Sequence, residues 1–198
     1  ELAIDYLPYQ ENFCPYGISI CCVDYRGYGF SDGEFGTGGT EPDDIITVIN
    51  YLKKHGYHKI SFFGYSLGAR CGIYAAAKFP DLTCVVLDSP YLSTYEWTKY
   101  KANFFENIDQ ERFEKVIPYV YEKIKEVLGI DFRQTVEASD VAHQIKQPFY
   151  LIHGKNDTLI PYSNSTELIE IVQSLNKIFK SYKFDHSWCT LRSKAWND

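Results

Sequence analysis

Three side chains suited to nucleophilic acyl transfer follow one another along the chain: Ser66, Asp157 and His186. A serine hydroxyl is a weak nucleophile until a base takes its proton. A carboxylate behind that base orients it and balances the charge it gains. Ser66 lies in Gly64-Tyr65-Ser66-Leu67-Gly68, a G-x-S-x-G pattern. The apolar residues Ile60, Phe62 and Phe63 before it read as a short buried strand. Ala69 to Ala77 after it read as a helix stopped by Pro80. In such a strand-to-helix turn the residues two before and two after the serine are expected to lack side chains. The serine is then held in strained backbone with its hydroxyl exposed. The helix N-terminus behind it favours negative charge developing at the reacting centre.

The other titratable residues fit this chemistry less well. Asp88, at the end of the strand after the Ser66 helix, is a second possible acid. His55 and His58 flank a helix end and read as exposed, and His143 lies where an insertion ends. His153 precedes the Asp157 loop and reads as structural, hydrogen-bonding the turn. Cys71, five residues after Ser66, reads as helix packing. No His/Asp/Glu cluster has metal-ligand spacing, so no metal and no cofactor are expected.

Elements of alternating type must bring the three residues together. Residues 1–16 read as a short helix and a loop. Gly17 to Asp24 is a near-continuous apolar run, expected to be a strand buried on both faces. It empties into a glycine-rich loop, Tyr25-Arg26-Gly27-Tyr28-Gly29-Phe30-Ser31-Asp32-Gly33. The glycine spacing there does not match a dinucleotide fingerprint. Thr40 reads as the N-cap of a helix, with Pro42 in its first turn. Ile45, Ile46, Val48, Ile49 and Leu52 form its apolar stripe, and Gly56 ends it. Thr83 to Asp88 is a further strand. Pro148 to Gly154 is another, followed by a helix from about Pro161 with Leu168, Ile169, Val172 and Leu175 on one face. Lys177 to Phe184 is the last strand. This rhythm calls for a parallel sheet with right-handed crossovers. Residues 91–145 interrupt it with aromatics (Tyr91, Tyr95, Trp97, Tyr100, Phe104, Phe105) and a helical pattern over Glu111 to Leu128, with a kink expected at Pro118. They read as a small helical insertion over the carboxyl ends of the strands. Its aromatics either pack it on the sheet or, some of them, line an acyl or aromatic pocket.

Length and composition bound the class. A chain of 198 residues with a net charge of −6 is long enough for one substantial core. It has no basic run for nucleic acid and no apolar stretch of bilayer-spanning length. The six cysteines (Cys14, Cys21, Cys22, Cys71, Cys84, Cys189) show no zinc or C-x-x-C spacing and read as buried, reduced thiols of a cytoplasmic protein. The chain contains no methionine and opens on what reads as mid-domain sequence, so an N-terminal piece is expected ahead of it.

Taken together, Val23-Asp24-Tyr25-Arg26-Gly27-Tyr28-Gly29-Phe30-Ser31, Gly64-Tyr65-Ser66-Leu67-Gly68, Leu151-Ile152-His153-Gly154-Lys155-Asn156-Asp157 and Asp185-His186 resemble the α/β-hydrolase superfamily. The likeness is greatest to its serine esterase, acyl-thioesterase and prolyl-oligopeptidase-type branch, and it runs from Gly17 to His186. It implies a three-layer α/β/α fold in one domain over 1–198, with a mostly parallel sheet and a helical cap at about 91–145. It implies Ser66 as nucleophile, His186 as general base, Asp157 as orienting acid and the Leu67 backbone amide as one oxyanion donor. The substrate would be a small acyl ester, thioester or short peptide. The second donor normally comes from a strand and His-Gly-type loop upstream, which this sequence does not display before Gly17. Two other readings stay open: an aminopeptidase or oligopeptidase on the same triad, and a catalytically silent hydrolase-fold scaffold.

Overall fold

The computed structural model describes residues 3–34, 36 and 38–186. Four strands form one sheet in the order β1 (Ser61–Tyr65), β2 (Cys84–Asp88), β3 (Phe149–Gly154) and β4 (Lys177–Tyr182). All neighbouring pairs are parallel, with Tyr65 level with Asp88, Asp88 with Ile152 and Gly154 with Tyr182. Every strand therefore releases its following loop at the same edge. The apolar runs read from the sequence explain the strands: Val85, Leu87, Phe149 and Leu151 are buried.

Short turns open the described chain: 3-10 turns at Ala3–Tyr9 and Cys14–Tyr16 flank α1 (Gln10–Phe13). Helix α2 (Glu41–Lys54) packs on α3 (Leu67–Lys78), and α3 packs on β1 and β2. Ile45 and Ile49 join Ala69, Ile73, Ala76 and the strand residues in the main core. At Gly72 α3 lies close on the sheet; a Cβ there would run into the Phe62 ring and lie 2.6 Å from Leu87. The insertion forms α4 (Thr94–Glu106), α5 (Gln110–Leu128) and α6 (Ala138–Ala142), followed after β3 by α7 (Ser163–Ile171). Phe113, Ile117, Tyr121 and Phe132 form a second, smaller core inside the insertion. Helix α5 runs unbroken through Pro118.

Several expectations need correcting. The run Gly17–Asp24 is not a strand: among the described residues no strand lies beside it, and β1 pairs with β2 alone. A two-face-buried strand needs a hydrogen-bonded neighbour to satisfy its backbone. Without one, Ile18 is half exposed. Its end is instead tied by Asp24, whose carboxylate accepts the Ala3 N–H at 2.7 Å and the Phe30 N–H at 3.3 Å. Thr40 occupies the N-cap position of α2 without a capping bond, and its hydroxyl is buried without a partner. The fully buried Glu41 takes over, accepting the N–H groups of Gly36 (2.8 Å), Gly38 (2.9 Å) and Thr40 (3.2 Å). The carboxylate reaches more of the glycine loop than a threonine hydroxyl can. Leu175 lies beyond the end of α7 and is exposed rather than on its buried face. Of the cysteines, Cys14, Cys21, Cys22, Cys71 and Cys84 are free thiols, and only Cys71 among them is buried. Cys189 lies outside the described residues.

Candidate active site

Strand β1 ends at Tyr65 and α3 begins at Leu67, so Ser66 makes the whole turn. Its φ of 53° and ψ of −120° place a non-glycine residue in a costly region. Two backbone bonds hold it there. The Ser66 N–H donates to the Asp88 carbonyl at 2.8 Å, and the Ser66 carbonyl accepts from Arg70 at 3.0 Å. The two flanking glycines differ, against the symmetric expectation. A Cβ on Gly64 would lie 2.5 Å from the Gly68 carbonyl oxygen, a backbone atom that cannot step aside. A Cβ on Gly68 would make an ordinary contact, 3.6 Å from the Tyr25 hydroxyl. Gly64→Ala is therefore expected to cost about 1–3 kcal/mol. Gly68→Ala, inside a helix, is expected to be neutral or to gain up to about 1 kcal/mol. Thermal unfolding of the two variants checks this; equal losses would restore the symmetric picture.

Asp157 follows β3 in a tight turn, and its side chain is fully buried. Oδ1 accepts the backbone N–H groups of Leu159 (2.9 Å) and Ile160 (2.8 Å). Oδ2 lies 2.7 Å from His186 Nδ1 and 3.2 Å from His153 Nε2. On its other side, His186 Nε2 lies 2.9 Å from Ser66 Oγ. The His186 loop is held by Asp185, whose Oδ1 accepts the His186 N–H at 2.7 Å and the Thr158 N–H at 3.1 Å. Beside it, Lys155 N–H donates to Tyr182 and Asn156 N–H to Phe184. The two loops pack so closely that a Cβ on Gly154 would strike the Phe184 carbonyl.

Burial alone would raise the Asp157 pKa. Hydrogen bonds from His153, His186 and the Ile160 amide outweigh it and hold the carboxyl well below the usual carboxylate range. A folded-state value below the unfolded value of about 3.9 stabilises the fold at all higher pH. That contribution is lost as pH falls through the folded value. Urea unfolding of the native protein is thus expected to weaken below about pH 4 more steeply than that of Asp157→Asn. Parallel acid profiles of the two proteins would count against it. Burial pushes the Cys71 thiol up to about 12, with the Tyr25 hydroxyl opposing only in part.

The structure joins Ser66, His186 and Asp157 and leaves the other candidates elsewhere. Asp88 is fully buried, accepts the Ser89 hydroxyl at 2.9 Å and braces the serine turn through its carbonyl. His55, His58 and His143 are exposed. Leu67 opens α3, where the first N–H groups have no partner within the helix, which suits an anion beside Ser66. Trp97 and Tyr100, expected only to pack the insertion or line a pocket, make specific bonds to the Asp157 turn. Trp97 Nε1 donates to the Leu159 carbonyl and the Tyr100 hydroxyl to the Thr158 carbonyl, each at 3.1 Å. A half-buried Trp in want of a polar partner was the available signal. The insertion's aromatics thus divide. Tyr95 and Phe113 pack it internally, Trp97 and Tyr100 fasten it to the Asp157 turn, and Phe104 and Phe105 are about half exposed.

Ser66, His186 and Asp157 thus stand in hydrogen-bonded succession on loops at one edge of a parallel sheet. The chain belongs to the α/β-hydrolase family: the family model described as "alpha/beta hydrolase fold" matches residues 7–123. An uncharacterised membrane protein of Saccharomyces cerevisiae is 27% identical over 188 residues, covering 92% of this chain and 59% of that protein. A lysophosphatidylserine lipase of Danio rerio is 23% identical over 176 residues, covering 81% of this chain and 42% of its own length. Among solved structures, a Pyrococcus furiosus esterase superposes with a TM-score of 0.71 at 22% identity, over 96% of this chain and 71% of that one. The chain spans less than two thirds of the length of these two curated relatives. Among the described residues no helix is long and apolar enough to cross a membrane, and no group of three or more His, Cys, Asp or Glu could hold a metal ion.

Proposed function

We propose that this chain is a serine hydrolase that cleaves a carboxylic ester, thioester or small amide through an acyl-enzyme. The observation that carries the reading is the pair of bonds on His186, Nε2 to Ser66 Oγ at 2.9 Å and Nδ1 to Asp157 Oδ2 at 2.7 Å. Ser66 Oγ attacks the carbonyl carbon as His186 Nε2 takes its proton. Asp157 keeps the Nδ1 proton facing it and balances the imidazolium. The carbonyl oxygen becomes an anion beside the Leu67 N–H at the start of α3. His186 returns its proton to the departing alcohol, thiol or amine. Water then repeats the sequence on the acyl-Ser66 ester and frees the acid. Helices α4 to α6 serve as a cap over the strand ends, and the substrate enters beneath them. The lipase named among the relatives supports an acyl ester as the substrate class.

Covalent labelling with a fluorophosphonate probe tests the reading. The native protein is expected to label and Ser66→Ala not to label, with an ester panel showing turnover in the same pattern. A native protein that folds, fails to label and turns over no ester would favour the silent scaffold instead.

A further inference from the structure

His153 is a buried imidazole that the mechanism above does not use. Its ring has no solvent exposure. It stands on β3 four residues before Asp157, and all its polar neighbours lie in the turn and helix that follow. Nε2 faces the Ile160 carbonyl at 3.1 Å and Asp157 Oδ2 at 3.2 Å. Both are acceptors, so Nε2 carries the hydrogen. Nδ1 lies 2.7 Å from the hydroxyl of Ser165, itself fully buried on α7. With Nε2–H assigned, that hydroxyl donates to Nδ1 and completes the ring's bonding. Tyr162 packs edge-on against the ring at 5.6 Å.

We infer that His153 is a positioning residue: a second imidazole on the acid, sharing Asp157 Oδ2 with His186 and fixing the plane of the carboxylate. This rests on the reading of Ser66, His186 and Asp157 as a catalytic relay. The Leu159 and Ile160 amides donate to Oδ1 and His186 to Oδ2, while the His153 Nε2–H, bonded to the Ile160 carbonyl, lies 3.2 Å from Oδ2 as a longer, shared contact. With only the amides present, Oδ2 can swing away from His186 about the side-chain torsion. The His153 donor removes that freedom and links the acid to α7 through Ser165. A residue that merely filled space would leave the Ser165 hydroxyl and the Ile160 carbonyl without this partner.

The test compares His153→Gln, which keeps an N–H donor near the Nε2 position, with His153→Met, which fills the space without one. The first readout is the downfield proton resonance of the bond between His186 Nδ1 and Asp157, which needs no turnover. The second is the fluorophosphonate labelling rate, with kcat and KM on any ester found. His153→Met is expected to shift or broaden the resonance and slow labelling about ten- to a hundredfold with KM unchanged. His153→Gln is expected to restore most of both. If His153→Met does not fold, Ser165→Ala carries the test, with a smaller loss in the same direction. An unmoved resonance and native labelling in His153→Met, with only a lower unfolding temperature, would overturn the inference. A native protein that never labels, yet loses the resonance in His153→Met, would sink the hydrolase reading and leave the positioning of Asp157 standing.

Discussion

Asp157→Asn is expected to lower ester hydrolysis about 10⁴-fold while leaving the fold in place. The reason lies in the donors around the carboxylate. Oδ1 accepts two backbone N–H groups, from Leu159 and Ile160. An asparagine amide must present its oxygen to those donors, because its NH₂ group facing them would set donor against donor. Its NH₂ group then points where Oδ2 was, at His186 Nδ1, and opposes a donor only across the longer 3.2 Å contact to His153 Nε2. His186 can accept that bond only through an unprotonated Nδ1, which moves its hydrogen to Nε2. An Nε2–H facing Ser66 Oγ cannot take the serine proton. The loss is therefore one of tautomer rather than of geometry. Imidazole nitrogen chemical shifts of His186 read it directly. A variant that stayed within tenfold of the native rate would remove Asp157 from the orienting role.

Glu137→Ala is expected to cost about 3–5 kcal/mol of stability. Glu137 pairs with Arg70, whose side chain is 1% exposed, at 2.7 Å. The rest of the guanidinium has one carbonyl, Leu92 O at 2.9 Å, and the faces of Tyr91 and Tyr74 at 4.8 and 5.4 Å. Its Nε is already buried without a partner. Removing the carboxylate leaves a charge inside the protein with little to balance it. Glu137 also accepts the Thr94 N–H at 2.9 Å and forms a capping box with Asp140 at the start of α6. One residue thus fastens α3, the start of α4 and α6 together. Urea unfolding measures the loss. Replacing both partners, as Arg70→Met with Glu137→Leu, is expected to recover most of it, since a well-packed apolar pair replaces a buried ion pair at little cost. A Glu137→Ala loss below about 1 kcal/mol would show that water reaches Arg70.

The strand and helix order of the sheet was legible because apolar runs and helical periodicity survive without knowledge of neighbours. The candidate relay was legible because Ser66, Asp157 and His186 each fall just after a strand, and parallel strands deliver such loops to one edge. What stayed hidden depends on who the neighbour is. Gly17–Asp24 has the composition of a buried strand, but composition does not say whether a partner lies alongside. Glu41 reads as an acid in a first helical turn, and nothing local shows that it turns back to bind three amides. His153 precedes Asp157 by four residues, yet its ring direction depends on Ser165 and Ile160, which the fold brings round later. Trp97 and Tyr100 find their acceptors across about sixty residues, a contact no local pattern encodes.

The insertion leaves the sheet after β2 and rejoins it at β3, and these two strands are immediate neighbours, with Val85 level with Phe149. Residues 89–148 are therefore a closed excursion whose ends are fixed side by side whatever lies between. Closing a flexible loop costs only about 0.6 kcal/mol more for each doubling of its length. Changes in the length of this segment thus leave the strand register open to persist, provided its ties to the Asp157 turn and to Arg70 are kept. On the proposed hydrolase reading, the sheet carries the reacting side chains and the excursion bears on what reaches them. Variation in length among relatives should accordingly concentrate between Ser89 and Pro148.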